Sequence, residues 1–203
     1  TAFTLSFNVK YDGMVRAVEV MLQEALKVIK VGVKAGEVGR AVQVAAQRLG
    51  FKPIINLSGH SIAPYIVHAG LSIPNTYTVG TPDLKLGQVY AIEPFATTTK
   101  GAGVVVNGPS INIFSLVARK PLGDSSLNNF VEELWSRFRT LPFTYRQIRD
   151  LGEAAWLERA VKTLIQKRVL KGYPVLVEAR NEIVAQAEHT VTPVENGVVI
   201  LTE

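Results

Sequence analysis

Cysteine is absent from this chain. Disulfide frameworks, zinc ribbons and cysteine nucleophiles are thereby excluded, and any metal would have to be held by His, Asp or Glu. The absence fits an intracellular protein. Charge is also sparse, at 19% of residues, too little for a disordered polyelectrolyte. No apolar run is long enough to span a bilayer. The N-terminus lacks a basic stretch followed by an apolar one, which argues against a signal peptide. HExxH, GxGxxG and Walker sequences are missing, and Ser58-Gly59-His60 is not set in a nucleophile elbow. Zincin, dinucleotide, nucleotide-loop and serine-triad chemistries therefore have no support. There is no internal repeat and no low-complexity tract.

What is present is a chain of 203 residues, 47% hydrophobic, enough for a substantial core. The formal charge of +5 is mildly basic; it allows contact with RNA or a ribosome without arguing for it. Phe3, Leu5 and Phe7 alternate with Thr4 and Ser6, predicting a half-buried strand over 2–8. Asp12 is placed to cap a helix whose inner face is Val15, Val18, Leu22, Ala25, Leu26 and Ile29, ending at Gly32. A second helix is predicted over 35–49, with Val38, Val42, Ala45, Ala46 and Leu49 inward and Gly50 as its stop. Strands are predicted over 53–57, 65–68, 88–97 and 110–118. Helices followed by a strand-rich half predict an α+β fold with a largely antiparallel sheet.

Residues 121–172 turn helical again, with faces built on Leu127, Phe130, Val131, Leu134 and Phe138, and on Leu157, Ala160, Val161, Leu164 and Ile165. A strand is expected over 173–177. Asn196-Gly197 between apolar runs signals a hairpin. Strands precede and follow the helical block, so it reads as an insertion over about 121–176, similar to a winged helix. Its long helix carries Arg159, Lys162, Lys167, Arg168 and Lys171. These would suit phosphates, but a solvated amphipathic face is the preferred reading, since Glu153 and Glu158 share the helix.

Four segments set a His or Glu among apolar or small residues: Ser58-Gly59-His60, Val67-His68-Ala69-Gly70, Ala91-Ile92-Glu93-Pro94 and Ala187-Glu188-His189-Thr190. Burying a carboxylate alone is costly, and a shared metal is the simplest compensation. In one straight strand His60 and His68 would lie ~26 Å apart, at ~3.3 Å per residue. They can serve one site only if the chain bends, as Pro64 permits. Pro94 removes a ladder donor, so the strand at Glu93 is expected to be at an edge or a bulge. A salt bridge to an Arg is the alternative for Glu93, and a surface strand is the alternative for Glu188. Glu188 and His189 are neighbours on a strand, so only one of them should face a given site.

Taken together and in order, Asn56-Leu57-Ser58-Gly59-His60, Ile66-Val67-His68-Ala69-Gly70, Tyr90-Ala91-Ile92-Glu93-Pro94-Phe95 and Ala185-Gln186-Ala187-Glu188-His189-Thr190 resemble the type II methionine aminopeptidases, in their archaeal-like form. Thr140-Leu141-Pro142-Phe143 and Gly172-Tyr173-Pro174 resemble patches of the insert that separates type II from type I. The resemblance implies the pita-bread fold of creatinase, prolidase and aminopeptidase enzymes, in one incomplete catalytic domain over 1–203. It implies a cytoplasmic hydrolase that removes the initiator methionine of nascent chains, with no membrane or DNA partner. It also implies two divalent ions (Mn, Fe, Co or Zn), with His60 and Glu93 on one and Glu188 bridging both. Glu93 would also be the general base, and His68 would contact substrate near the scissile bond. Val67, Pro142 and Tyr173 are expected to line the methionine pocket. The family's two aspartate ligands are expected upstream of Thr1. On that reading residues 1–203 carry part of the site and are inactive alone, and activity requires the upstream segment, covalent or as a second chain. A non-catalytic relative binding RNA or ribosomes, and a prolidase-like peptidase, are the competing readings.

Overall fold

The first residues do less pairing than their alternation suggests. In the computed structural model, which describes residues 1–202, β1 is only Ala2–Phe3. Phe7 is 95% exposed, and a 3-10 turn, Val9–Tyr11, capped by Asn8, follows. The expected strand over 2–8 thus stops early, because no neighbouring strand meets Leu5 and Phe7. Asp12 opens α1 (Asp12–Val28) as its first residue and does not cap it. Met14, Val18, Met21, Leu22, Ala25 and Leu26 are buried along one face, the spacing of a helix with one wet side. In α2 (Ala35–Arg48), Val38, Val42, Ala45 and Ala46 are buried as expected, whereas Leu49 is left exposed just past the end. Gly39 is required by packing, since a Cβ there would collide with the carbonyls of Thr76 and Pro74.

The strand-rich part is β2 (Lys52–Pro53), β3 (Ser58–Ile62), β4 (Ser72–Pro74), β5 (Val89–Ile92) and β6 (Phe95–Thr97). Then come β7 (Val105–Leu116), α3 (Ser125–Phe138), β8 (Phe143–Thr144), α4 (Tyr145–Ile148), α5 (Ala154–Gln166) and β9 (Leu170–Glu178). The described residues end with β10 (Val184–Val194) and β11 (Gly197–Ile200). Residues 65–68, expected as a strand, form a turn instead: Ala63 and Ile66 exchange both backbone hydrogen bonds around Pro64 and Tyr65. Tyr65 there has φ 60°, the left-handed value wanted after a proline in such a turn.

The chain divides into two compact units. Unit 1, Thr1–Val106 with Val177–Glu203, holds a mixed-length antiparallel sheet in the order β2-β6-β10-β5-β3-β4, with β1 and β11 also on β10. Its core joins α1 and α2 to Ile73, Leu84, Tyr90, Ile92, Ala185, Ala187 and Val191. The hairpin β10–β11 pairs Val194 with Gly197, so its tip is Glu195-Asn196, one residue earlier than expected. Unit 2, Asn107–Leu176, contains the helical block and the sheet β8-β7-β9. Its separate core is Phe114, Phe130, Leu134, Phe143, Ile148, Leu157, Val161 and Leu164 among others. No helix among the described residues is long and apolar enough to cross a membrane.

Candidate functional site

β10 builds the site, because it touches two strands along one edge. His189 pairs with Ile92 of β5 and Gln186 with Phe95 of β6. Glu93 and Pro94 fall in the gap between these strands, opposite Ala187 and Glu188. Pro94 therefore sits at an interruption and not at an outer edge, the second of the two positions expected for it. On the far edge of β10, Ala2 pairs with Glu188 and Phe3 with Ala187.

His60 comes from β3, opposite Ala91 of β5. Gly59 permits this pairing to be tight, since a Cβ at Gly59 would collide with the carbonyl oxygen of Ala91. The result brings His60 Nε2 to 3.2 Å from Glu93 Oε1, with side chains only 9% and 13% exposed. Glu93 thus faces an imidazole and not an arginine. Glu188 has a side chain 17% exposed, and its Oε1 lies 3.2 Å from the Thr1 amino group. His68 is reached by the turn at Pro64-Tyr65; its ring centroid is 4.0 Å from that of His60. The bend that a straight strand forbids is therefore made. His189 points to the other face, with Nδ1 3.1 Å from Thr202 Oγ1, so of the adjacent pair only Glu188 enters the site.

Gln186 is a site residue not singled out from the sequence. Its Nε2 donates to Glu93 Oε2 at 3.2 Å and to Glu188 Oε2 at 3.4 Å. The signal was available: Gln186 and Glu188 are two apart on a strand and share a face. Thr4 holds Gln186 in place, its Oγ1 accepting from the Gln186 N–H at 2.7 Å and donating to its carbonyl at 2.9 Å.

The electrostatics are those of a site built for a cation. His60 Nδ1 lies 3.3 Å from the Ser61 carbonyl, which can only accept, so Nδ1 carries the proton. In the neutral ring Nε2 is then a lone pair facing a carboxylate oxygen. That arrangement is favourable only when a positive charge lies there, as a proton on Nε2 or as a metal ion. Burial pushes the imidazole pKa down, but the Glu93 carboxylate, the Ser61 carbonyl and Glu188 outweigh it and hold it above its ordinary value. One imidazole and two carboxylates are a donor set suited to Mn, Fe, Co or Zn. Among the described residues no group of three or more His, Cys, Asp or Glu is arranged so that it could hold a metal ion. The chemistry of these donors fits a divalent ion.

The expected pocket residues fall in different units. Val67 is half-buried in the turn after β3, in unit 1. Pro142 and Tyr173 belong to unit 2, where Pro142 is exposed and the Tyr173 hydroxyl is 3.0 Å from Ser115 Oγ.

Residues 1–117 match the sequence profile of metallopeptidase family M24. The chain is 38% identical over its full length to a methionine aminopeptidase of Saccharolobus solfataricus, covering 67% of that protein. It is 39% identical to one from Pyrococcus abyssi, again over its full length and 68% of the relative. The solved methionine aminopeptidase of Thermotoga maritima superimposes with a TM-score of 0.57 at 23% identity, over 97% of this chain and 53% of the other. The chain thus spans about two-thirds of these sequence relatives and about half of that solved structure. The neighbouring structure and the mixed helix and antiparallel sheet agree on the pita-bread fold. With a family profile matched over more than half of its length and relatives aligned from end to end, the chain belongs to metallopeptidase family M24 and aligns along its whole length with methionine aminopeptidases of that family.

Proposed function

We propose that this chain supplies His60, Glu93 and Glu188 to a dinuclear metal site that removes N-terminal methionine from nascent proteins. The observation that carries the reading is His60 Nε2 facing Glu93 Oε1 at 3.2 Å while Nδ1 is committed to Ser61. His60 and Glu93 would hold one divalent ion and Glu188 would bridge to a second. When bound, the ions supply Lewis acidity toward the scissile carbonyl and a lowered pKa for water.

The chain's own residues do the rest. Glu93 is the proton acceptor for the attacking water, since its buried carboxylate is the basic group nearest the imidazole. Gln186 fixes Oε2 of each glutamate and leaves Oε1 of each free of that amide, so that Oε1 is the oxygen each would offer to an ion. His68, exposed and tilted against the His60 ring, can donate to a substrate carbonyl. Val67, half-buried beside His68 in the chain, is proposed for the methionine side chain. The register of β1, Ala2 against Glu188, means that a carboxylate carried just upstream of Thr1 would run alongside Glu188. We assign the remaining ligands to such a segment, covalent or separate, and place the activity in the cytoplasm, where nascent chains are.

Hydrolysis of Met-Ala peptides with Mn or Co, with and without the upstream segment, tests this. His60→Ala and Glu188→Gln should each lower activity by at least about 100-fold and weaken metal binding in calorimetry. Full activity from residues 1–203 alone would overturn the partial-site reading. Activity indifferent to metal removal would overturn the metal reading.

A further inference from the structure

The backbone of Gln186 is held by a side chain where a strand would ordinarily hold it. Along an antiparallel strand the N–H and C=O of one residue point to the same edge, and those of its neighbours point to the other. Ala187 N donates to the Pro94 carbonyl at 3.4 Å, on the side of β5 and β6. The backbone groups of Gln186 therefore face the opposite edge, where β1 lies. The register of Ala2 with Glu188 and Phe3 with Ala187 puts Thr4 level with Gln186, but β1 ends at Phe3. Just beyond, Ser6 Oγ donates to the Asn8 carbonyl and accepts from the Asn8 N–H. That turn leads the chain off the sheet into the 3-10 helix Val9–Tyr11. Thr4 Oγ1 makes both of the bonds a strand partner would have made. It accepts from the Gln186 N–H at 2.7 Å and donates to the Gln186 carbonyl at 2.9 Å. A hydroxyl can do both from one atom.

Two anchors on one residue fix the direction in which its side chain leaves the strand. For Gln186 that direction is the site face, where Nε2 meets Oε2 of Glu93 at 3.2 Å and of Glu188 at 3.4 Å. The two carboxylates come from different stretches of chain, Glu93 from the gap between β5 and β6 and Glu188 from β10 itself. The amide meets both only while β10 holds its place at Gln186. Thr4 is half-buried and touches neither glutamate through a hydrogen bond of its own.

We infer that Thr4 is a positioning residue for the two glutamates: its hydroxyl, acting through the backbone of Gln186, aims the amide that fixes their Oε2 atoms. The use made of this aim, presenting Oε1 to a divalent ion, rests on the proposed metal site; the chain of hydrogen bonds does not. Thr97 provides a comparison. It is fully buried, and its Oγ1 donates to the carbonyl of Ile183 at 2.8 Å, just before β10 begins. Losing that hydroxyl removes a bond of the same kind from the same sheet without touching Gln186.

The test uses the whole chain with two readouts. One is the NMR signal of the Gln186 side-chain amide without metal, and the other is calorimetric titration with Mn. Thr4→Val keeps the shape and removes both bonds. It should move the amide signal toward that of a solvated glutamine and raise the Kd for Mn by roughly 10-fold. Thr4→Ser keeps the hydroxyl and should hold the signal, with a Kd within about 2-fold of wild type. Thr97→Val should lower the Tm and leave both readouts unchanged. Adding Thr4→Val to Gln186→Ala should weaken Mn binding no further than Gln186→Ala does alone, since one acts through the other. An amide signal unmoved by Thr4→Val, an equal loss in Thr97→Val, failure of Thr4→Ser to restore the signal, or additive losses in the double variant would overturn the inference. Absence of Mn binding by the wild-type chain would count against the metal reading, and the metal-free amide signal then decides the role of Thr4 by itself.

Discussion

Two glutamates share one amide. Gln186 Nε2 donates to Oε2 of both Glu93 and Glu188, and this sorts the four carboxylate oxygens into a pair held by the amide and a pair facing His60 Nε2 and the Thr1 amino group. Groups that orient ligands commonly matter 10- to 100-fold for metal affinity. Gln186→Ala should therefore weaken Mn or Co binding by about 10-fold in calorimetry while leaving the fold intact; unchanged affinity would reduce Gln186 to a spacer. In sequence His60, Glu93 and Glu188 stand out because each is an ionisable group among apolar or small residues. Gln186 carries no charge, and its importance depends on what the strand opposite presents. Register supplies that, and register is set by residues far away in the chain.

At the scale of elements, a buried carboxylate ties the loops around β7 and β9. Glu178 is 3% exposed. Its Oε1 accepts from the backbone N–H groups of Ala102 and Gly103, and its Oε2 from those of Arg180 and Glu182. Burial raises its pKa, but the four N–H donors outweigh that and hold it below the ordinary 4.5. A carboxyl depressed in the folded state stabilises it above the unfolded value, and that contribution is lost as pH falls through the folded value. Glu178→Gln would turn an amide NH2 on two of those donors. It should lower the Tm at pH 7 and flatten the acid limb of a Tm-against-pH curve below pH 4.5; an acid limb as steep as wild type would remove Glu178 from the account. Nothing local announces this residue, which reads as an ordinary strand-end glutamate. The helices were legible from sequence because Met14 to Leu26 and Leu157 to Leu164 repeat at their own period. The short pieces were not. Leu5 and Phe7 alternate like a strand and lack a partner, and residues 65–68 have strand composition but are turned back at Pro64.

For the whole molecule, the division into two units leads to a further expectation. Unit 2 is continuous in sequence and has its own core of Phe114, Phe130, Leu134, Phe143 and Leu164. Excised residues 107–176 should fold cooperatively, with a helical circular dichroism spectrum and a sigmoidal melt; a featureless melt would show that the core needs the rest of the chain. From sequence a helical block between strands is expected over about 121–176, whereas the second compact unit begins at Asn107, because β7 runs without a break from Val105 in one unit to Leu116 in the other.

The central strand of unit 1 comes late in the sequence. β10, at Val184–Val194, is the partner of β1, β5, β6 and β11, so during synthesis the earlier strands leave the ribosome with their shared neighbour still unmade. Unit 2 can settle while they wait, but Glu188 and Gln186 cannot meet Glu93 until β10 itself has emerged. The two carboxylates and the amide between them thus stay apart while the first strands and both helices of the unit are made, and the site closes only when β10 arrives.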